Sequence, residues 1–209
     1  MACVVSIEEG ASGVAKAATA EGSLFVFRCS YLEPACSFCG IDKLPVISPG
    51  NELDEELLSV LADVMAAEYS AVSLLARAEQ FRKGLERKLL AKKLPGFAIT
   101  MALNRLESEG LLSDQRYAEV WMRQRIRRSP EGPRSLAAAL GSRGIGRDAA
   151  REALAAFFEE SKRFGLLAGA AALLEPKLKD SSKLRQGLLD LGWRSSEISG
   201  YLLSCSSDA

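Results

Sequence analysis

The apolar positions change their period partway along the chain. Up to about residue 50 they come in short runs, Cys3-Val4-Val5-Ser6-Ile7 and Leu24-Phe25-Val26-Phe27-Arg28, set among Gly10, Gly13 and Gly22. Runs of this kind between glycines predict the strands of a small meander, with Val14 to Ala18 in the middle and Leu44 to Ile47 as a last strand; nothing here reads as helix. So few short strands bury little, and the unit is expected to lean on the helices behind it. From Asn51 onward the period becomes helical. Asn51 is the expected cap of a helix whose first turn carries Glu52, Asp54, Glu55 and Glu56, as the helix dipole favours. Leu53, Leu57, Leu61 and Val64 then form a stripe reaching about Ala67, and a second helix, Tyr69 to Glu79, comes next with no marked break.

The stretch from Gly110 to Pro133 organises the rest. Ser113 is a helix cap ahead of Asp114, and Ser129-Pro130 ends the helix, because the residue before proline avoids the helical region. Steps of 100° put Ala118, Trp121 and Met122 on one face and Arg116, Arg123 and Arg127 on the opposite one. Arg125 lies on the tryptophan side, so its stem is expected to pack and its guanidinium to pair locally with a carboxylate or a helix end.

An internal repeat surrounds this helix. Leu85, Leu136 and Leu184 are each followed at +4 by Leu89, Leu140 and Leu188, at +9 by Leu94, Ile145 and Trp193, at +14 by Ile99, Ala150 and Ile198, and at +18 by Leu103, Leu154 and Leu202. The +0/+4 pair belongs to one helix and the +14/+18 pair to the next, with the +9 residue between them. Gly144 and Gly192 stand in the turn, where a left-handed residue stops the first helix. A further helix precedes each pair: Tyr69 to Glu79, Asp114 to Arg128 and Ser161 to Leu174. The fold expected is therefore mainly α, with three tandem three-helix repeats stacked in an elongated curved array behind a small N-terminal β unit. The boundaries read as 1–50 for the β unit, 51–68 for a connecting helix, and 69–109, 110–160 and 161–205 for the repeats.

Composition limits the function. Lysine plus arginine and aspartate plus glutamate are both 27, yet residues 1–76 hold 3 basic and 11 acidic side chains, net −8, and residues 77–151 hold 17 and 8, net +9. A basic middle suits an anionic partner, either nucleic acid or an acidic protein surface. No apolar run reaches about 18 residues, and no secretory pattern opens the chain, so the expectation is a cytoplasmic soluble protein. Cys36-Ser-Phe-Cys39 has metal or redox spacing. Zinc would need four ligands in a chain without histidine, with only Cys3 and Cys29 nearby, and a thioredoxin-like site needs a larger sheet. Neither a phosphate-binding glycine loop nor a nucleophile–base pairing is present, so no catalytic residue, cofactor or metal is expected.

Three segments carry a family resemblance: LLARAEQFRKGLERKLLAKKLPGF (Leu74 to Phe97), GLLSDQRYAEVWMRQRI (Gly110 to Ile126) and EGPRSLAAALGSRGI (Glu131 to Ile145). Together, across roughly residues 70–155, they resemble the RecX family, regulators of the RecA recombinase. The specific part is GLL-x-D-x-x-[FY]-A followed by R-x-R and GPR. The resemblance implies a non-enzymatic monomer that lies in the groove of the RecA filament on single-stranded DNA and restrains its ATPase, strand-exchange and coprotease activities, with no membrane partner. Contact with the filament, and where it is open with the DNA backbone, is expected from Lys92, Lys93, Arg123, Arg127, Arg134 and Arg143, while Trp121, Arg125, Leu85, Leu136 and Leu184 are structural. Two departures stand out. Phe81 and Gly84 replace the serine-x-x-glutamate box before the first leucine pair, which predicts an uncapped helix start costing about 1 kcal/mol. Lys93 stands where the turn glycine is expected. The competing reading is a nucleic-acid-binding module of helix-turn-helix-like repeats acting by itself.

Overall fold

The computed structural model describes residues 1–10, 13–176, 178 and 180–207. Its contacts divide the chain into two compact units, residues 1–78 with 84–112 and residues 79–83 with 113 onward.

The first unit begins with β1 (Ala2–Glu9), β2 (Val14–Thr19) and β3 (Leu24–Arg28), an antiparallel meander in the order β3-β2-β1. Alternation sets its faces: Ala2, Val4, Ala15, Ala17 and Phe27 point into the core, while Cys3 and Val5 point out. The fourth strand is not Leu44 to Ile47, which carries no strand. It is the two-residue β4 (Glu52–Leu53), paired antiparallel with Ala2 and Cys3. Pro45 has no N–H to give a ladder and Pro49 comes soon after, so the chain runs irregularly until Leu53 can drop into the core. A helix also occupies part of the segment read as non-helical: α1 (Leu32–Phe38), which takes Pro34 in its first turn, where no intrahelical N–H is lost.

The helix expected from Tyr69 is continuous with the one before it, as α2 (Glu55–Leu75). Asp54, not Asn51, caps it, its Oδ1 accepting from the Glu56 N–H at 2.8 Å, while the Asn51 amide donates to the Val46 carbonyl. By length and composition α2 is apolar enough to cross a membrane, although the sequence there shows no unbroken apolar run of that length. Its Leu57, Leu61, Val64, Ala67 and Ala71 are buried in the core of this unit. α3 (Arg82–Ala91) and α4 (Gly96–Ser108) carry the first leucine ladder, with Leu85, Leu89, Ile99 and Leu103 buried and α4 packed on α2. Lys93 takes the turn at a φ of 61°, a left-handed value that costs a side chain about 1–2 kcal/mol.

A buried carboxylate joins these layers. Glu68 of α2 accepts from Arg28 Nε at 2.8 and 3.0 Å and from the Tyr31 hydroxyl at 2.8 Å, and pairs with Arg105 Nη1 of α4 at 2.9 Å. Burial first, and the hydrogen bond to Glu68 second, push the Tyr31 phenol well above its ordinary pKa of 10. The fold therefore stabilises the protonated phenol; that contribution is whole below pH 10 and is lost as pH rises through the higher folded value. Ultraviolet titration of phenolate in alkali is expected to show one tyrosine that ionises only as the first unit unfolds. The same group ionising in the folded protein near pH 10 would contradict this.

The second unit contains α5 (Asp114–Ile126), α6 (Pro133–Arg143), α7 (Arg147–Phe157), α8 (Glu160–Leu174), α9 (Ser181–Asp190) and α10 (Ser195–Ser207). Ser113 caps α5 as expected, accepting from the Arg116 N–H. The remaining two ladders meet in one core, where Leu136, Leu140, Ile145, Leu184, Leu188, Trp193 and Ile198 are buried with Ala118 and Met122. The start of α3 is not uncapped: Asp114 Oδ1 accepts from the Arg82 N–H at 2.7 Å, a cap supplied from far along the chain.

Candidate functional site

The EGPR segment, Glu131 to Arg134, is the joint of the second unit. The Gly132 N–H donates to the Leu191 carbonyl at 2.7 Å and the Arg134 N–H to the Gly192 carbonyl at 3.1 Å, so the start of α6 lies backbone to backbone on the turn between α9 and α10. Only glycine permits this: a Cβ on Gly132 would lie 2.5 Å from the carbonyl carbon of Gly192, and one on Gly192 would lie 2.5 Å from the Ser135 nitrogen. Trp193 closes the joint, its indole N–H donating to the Pro130 carbonyl at 3.2 Å and its ring standing edge-on to Phe158.

Glu131 ties α5 into this joint. Its Oε1 accepts from Arg125 Nε and its Oε2 from the Ser135 hydroxyl, both at 2.8 Å. The carboxylate is 8% exposed and the arginine 47%, so solvent screens only one side of the pair. Two guanidiniums approach the Trp121 ring, Arg143 at 4.4 Å from its centre and Arg125 at 5.9 Å. Arg125→Ala is expected to cost about 2 kcal/mol by leaving a buried carboxylate half-satisfied. Arg123→Ala with Arg127→Ala should move the denaturation midpoint very little, because both side chains are exposed and Arg123 has only a 3.5 Å pair with Glu119. Equal losses of stability would defeat that division.

The remaining residues named from the sequence separate into two groups. Lys92, Lys93, Arg123, Arg127 and Arg134 are exposed. Arg143 is not of their kind: it is half-buried, donates to the Ala139 carbonyl of its own helix and stacks on Trp121, so it is committed to packing. Arg147, Arg151, Arg163 and Arg194 carry no signal in the sequence pattern. With Arg134 they rim a groove of about 440 Å³ over α6 and α7, whose floor is Ala137, Ile145, Ala150, Leu154 and Phe158. Arg194 and Arg163 come from outside the second repeat, which is why no spacing in the sequence points to the set.

Cys36 and Cys39 are not arranged as an activated pair. Cys36 is buried in α1 and Cys39 lies just past its end, both as free thiols. Desolvation pushes both thiols up, and Cys39 is pushed further by the charges of Glu56 and Asp54, the opposite of what an activated thiolate requires. Among the described residues no three His, Cys, Asp or Glu side chains are grouped to hold a metal ion.

Residues 113–154 match the family model described as RecX, second three-helix domain. The chain is 42% identical over 91 residues to a regulatory protein RecX of Pseudomonas fluorescens, covering 44% of this chain and 58% of that one. It is 27% identical over 161 residues to that of Oceanobacillus iheyensis, covering 73% and 59%. The alignments thus span less than two thirds of these relatives. In fold it is similar to a crystal structure of regulatory protein RecX, with a TM-score of 0.67 over 96% of this chain and 98% of that one at 21% identity.

Proposed function

We infer, from the chain's similarity to regulatory proteins RecX, that it is a regulator which binds the RecA filament on single-stranded DNA and lowers its ATP hydrolysis, strand exchange and coprotease activity. The observation that carries this is the match of residues 113–154 to the family's second three-helix domain, the stretch that also holds Arg123, Arg127 and Arg134. In this reading the helical repeats, 69–109, 110–160 and 161–205, present side chains to successive protomers. Lys92, Lys93, Arg123, Arg127 and Arg134 make the contacts, reaching the DNA backbone where the filament is open. Binding alone then suffices for the effect, with Arg125, Trp121 and the glycine joint holding the surface in shape.

The test is RecA-dependent ATP hydrolysis on single-stranded DNA during titration with the purified chain. Inhibition well below one molecule per protomer signifies capping or disassembly of filaments, and inhibition only near saturation signifies coating. Unchanged hydrolysis at saturation, with tight salt-sensitive binding to free DNA, would overturn the inference in favour of a nucleic-acid-binding module acting by itself.

A further inference from the structure

We propose that the groove over α6 and α7 docks an acidic amphipathic helix of a partner protein, with aliphatic side chains on its floor and carboxylates against its rim. The proposal rests on the regulatory reading above, for which it names the chemistry of the surface recognised. Three observations carry it. The lining contains five arginines and no acid. Arg151 is paired with Asp148 and Arg163 faces Glu197 at 3.6 Å, and the Arg194 backbone N–H donates to the same Glu197, whereas the guanidiniums of Arg134, Arg147 and Arg194 form no ion pair among the described residues. A rim with three uncompensated positive charges selects an anionic ligand.

The apolar lining decides between anionic ligands. Ala137 and Gly141 on α6 and Ala150 and Leu154 on α7 repeat at a spacing of four, so each pair is a row running along its helix, and the small residues Ala137, Gly141 and Ala150 admit another helix closely. Single-stranded nucleic acid would instead need exposed aromatic faces on which bases stack. The only aromatic ring in the lining is Phe158, 1% exposed and already edge-on to Trp193. An aliphatic floor under a ring of guanidiniums therefore fits a helix with leucine-like residues four apart flanked by Asp and Glu.

The test uses the full chain and three labelled synthetic helices of about 18 residues, roughly five turns. One has a leucine stripe with flanking glutamates, one the same stripe with lysines, and one the glutamates with the stripe changed to serine; oligothymidylate is the nucleic-acid competitor. The glutamate-leucine helix should bind at least about tenfold tighter than both controls. Ala155→Glu, on the exposed lining of α7, should abolish that preference with an unchanged melting temperature. Arg147→Glu with Arg194→Glu should turn the preference toward the lysine helix, a gain that unfolding cannot produce. Equal affinity for all three helices, or displacement by oligothymidylate that Ala155→Glu leaves intact, overturns the groove as a helix site. Run beside these, the ATPase titration separates the two readings. Helix binding without RecA inhibition sinks the regulatory reading alone, and RecA inhibition undiminished by the rim reversal sinks the groove alone.

Discussion

Gly192→Ala is expected to destabilise the second unit by about 4 kcal/mol. The turn requires a φ of 88°, which a side chain adopts at a cost of about 1–2 kcal/mol, and the new Cβ would lie 2.5 Å from the backbone nitrogen of Ser135. Relieving that clash moves α6 off the turn and weakens the bonds from Gly132 to Leu191 and from Arg134 to Gly192, about 1 kcal/mol each. Gly144→Ala is the control. Its φ of 90° imposes the same strain, but the added Cβ meets the Lys83 side chain, with Cδ at 2.4 Å, rather than the backbone of another element. The loss there should stay near 1–2 kcal/mol. Both tryptophans, Trp121 and Trp193, lie in the second unit, so urea denaturation followed by tryptophan fluorescence reads the comparison directly. Equal midpoints for the two variants would show that the backbone approach at Gly192 contributes nothing beyond turn strain.

Glu68→Ala should have a comparable effect on the first unit, about 3–5 kcal/mol, because it removes the carboxylate shared by two guanidiniums and a buried hydroxyl and leaves a cavity between them. Arg28, Tyr31 and Arg105 all converge on the one carboxylate, and Arg105 also pairs with Glu109 and lies over the Tyr31 ring. Glu68→Gln, which keeps the shape and loses the charge, should cost about half as much. Circular dichroism reports helices from both units, whereas tryptophan fluorescence reports the second. Glu68→Ala is therefore expected to advance part of the circular dichroism transition while the fluorescence transition stays in place. A loss below about 1 kcal/mol would mean that the pairing only offsets its own desolvation.

The residues proposed to meet the partner are the hardest to read. Lys92, Lys93, Arg123, Arg127 and Arg134 are legible as exposed cations because each sits in a locally polar pattern, and exposure on a helix follows from spacing alone. Arg143 shows the limit. Its position in the pattern resembles theirs, yet the ring of Trp121, 22 residues earlier, takes its guanidinium. Arg163 and Arg194 reach the groove only because α8 and the start of α10 return to α6 and α7. The cap of α3 escapes a local reading for the same reason, since Asp114 stands 32 residues from the N–H it accepts.

The helix pair at each leucine ladder, the meander of β1 to β3, the cap at Ser113 and the turn glycines were readable from the chain alone, because each depends on neighbours within a turn or a strand. It took the assembled fold to make Glu68 a buried hub, to put Leu53 rather than Leu44 to Ile47 at the sheet edge, and to lay Gly132 against Gly192. Those outcomes depend on which distant groups arrive within bonding distance, and a buried charge or a missing Cβ acquires meaning only from the partner that meets it there.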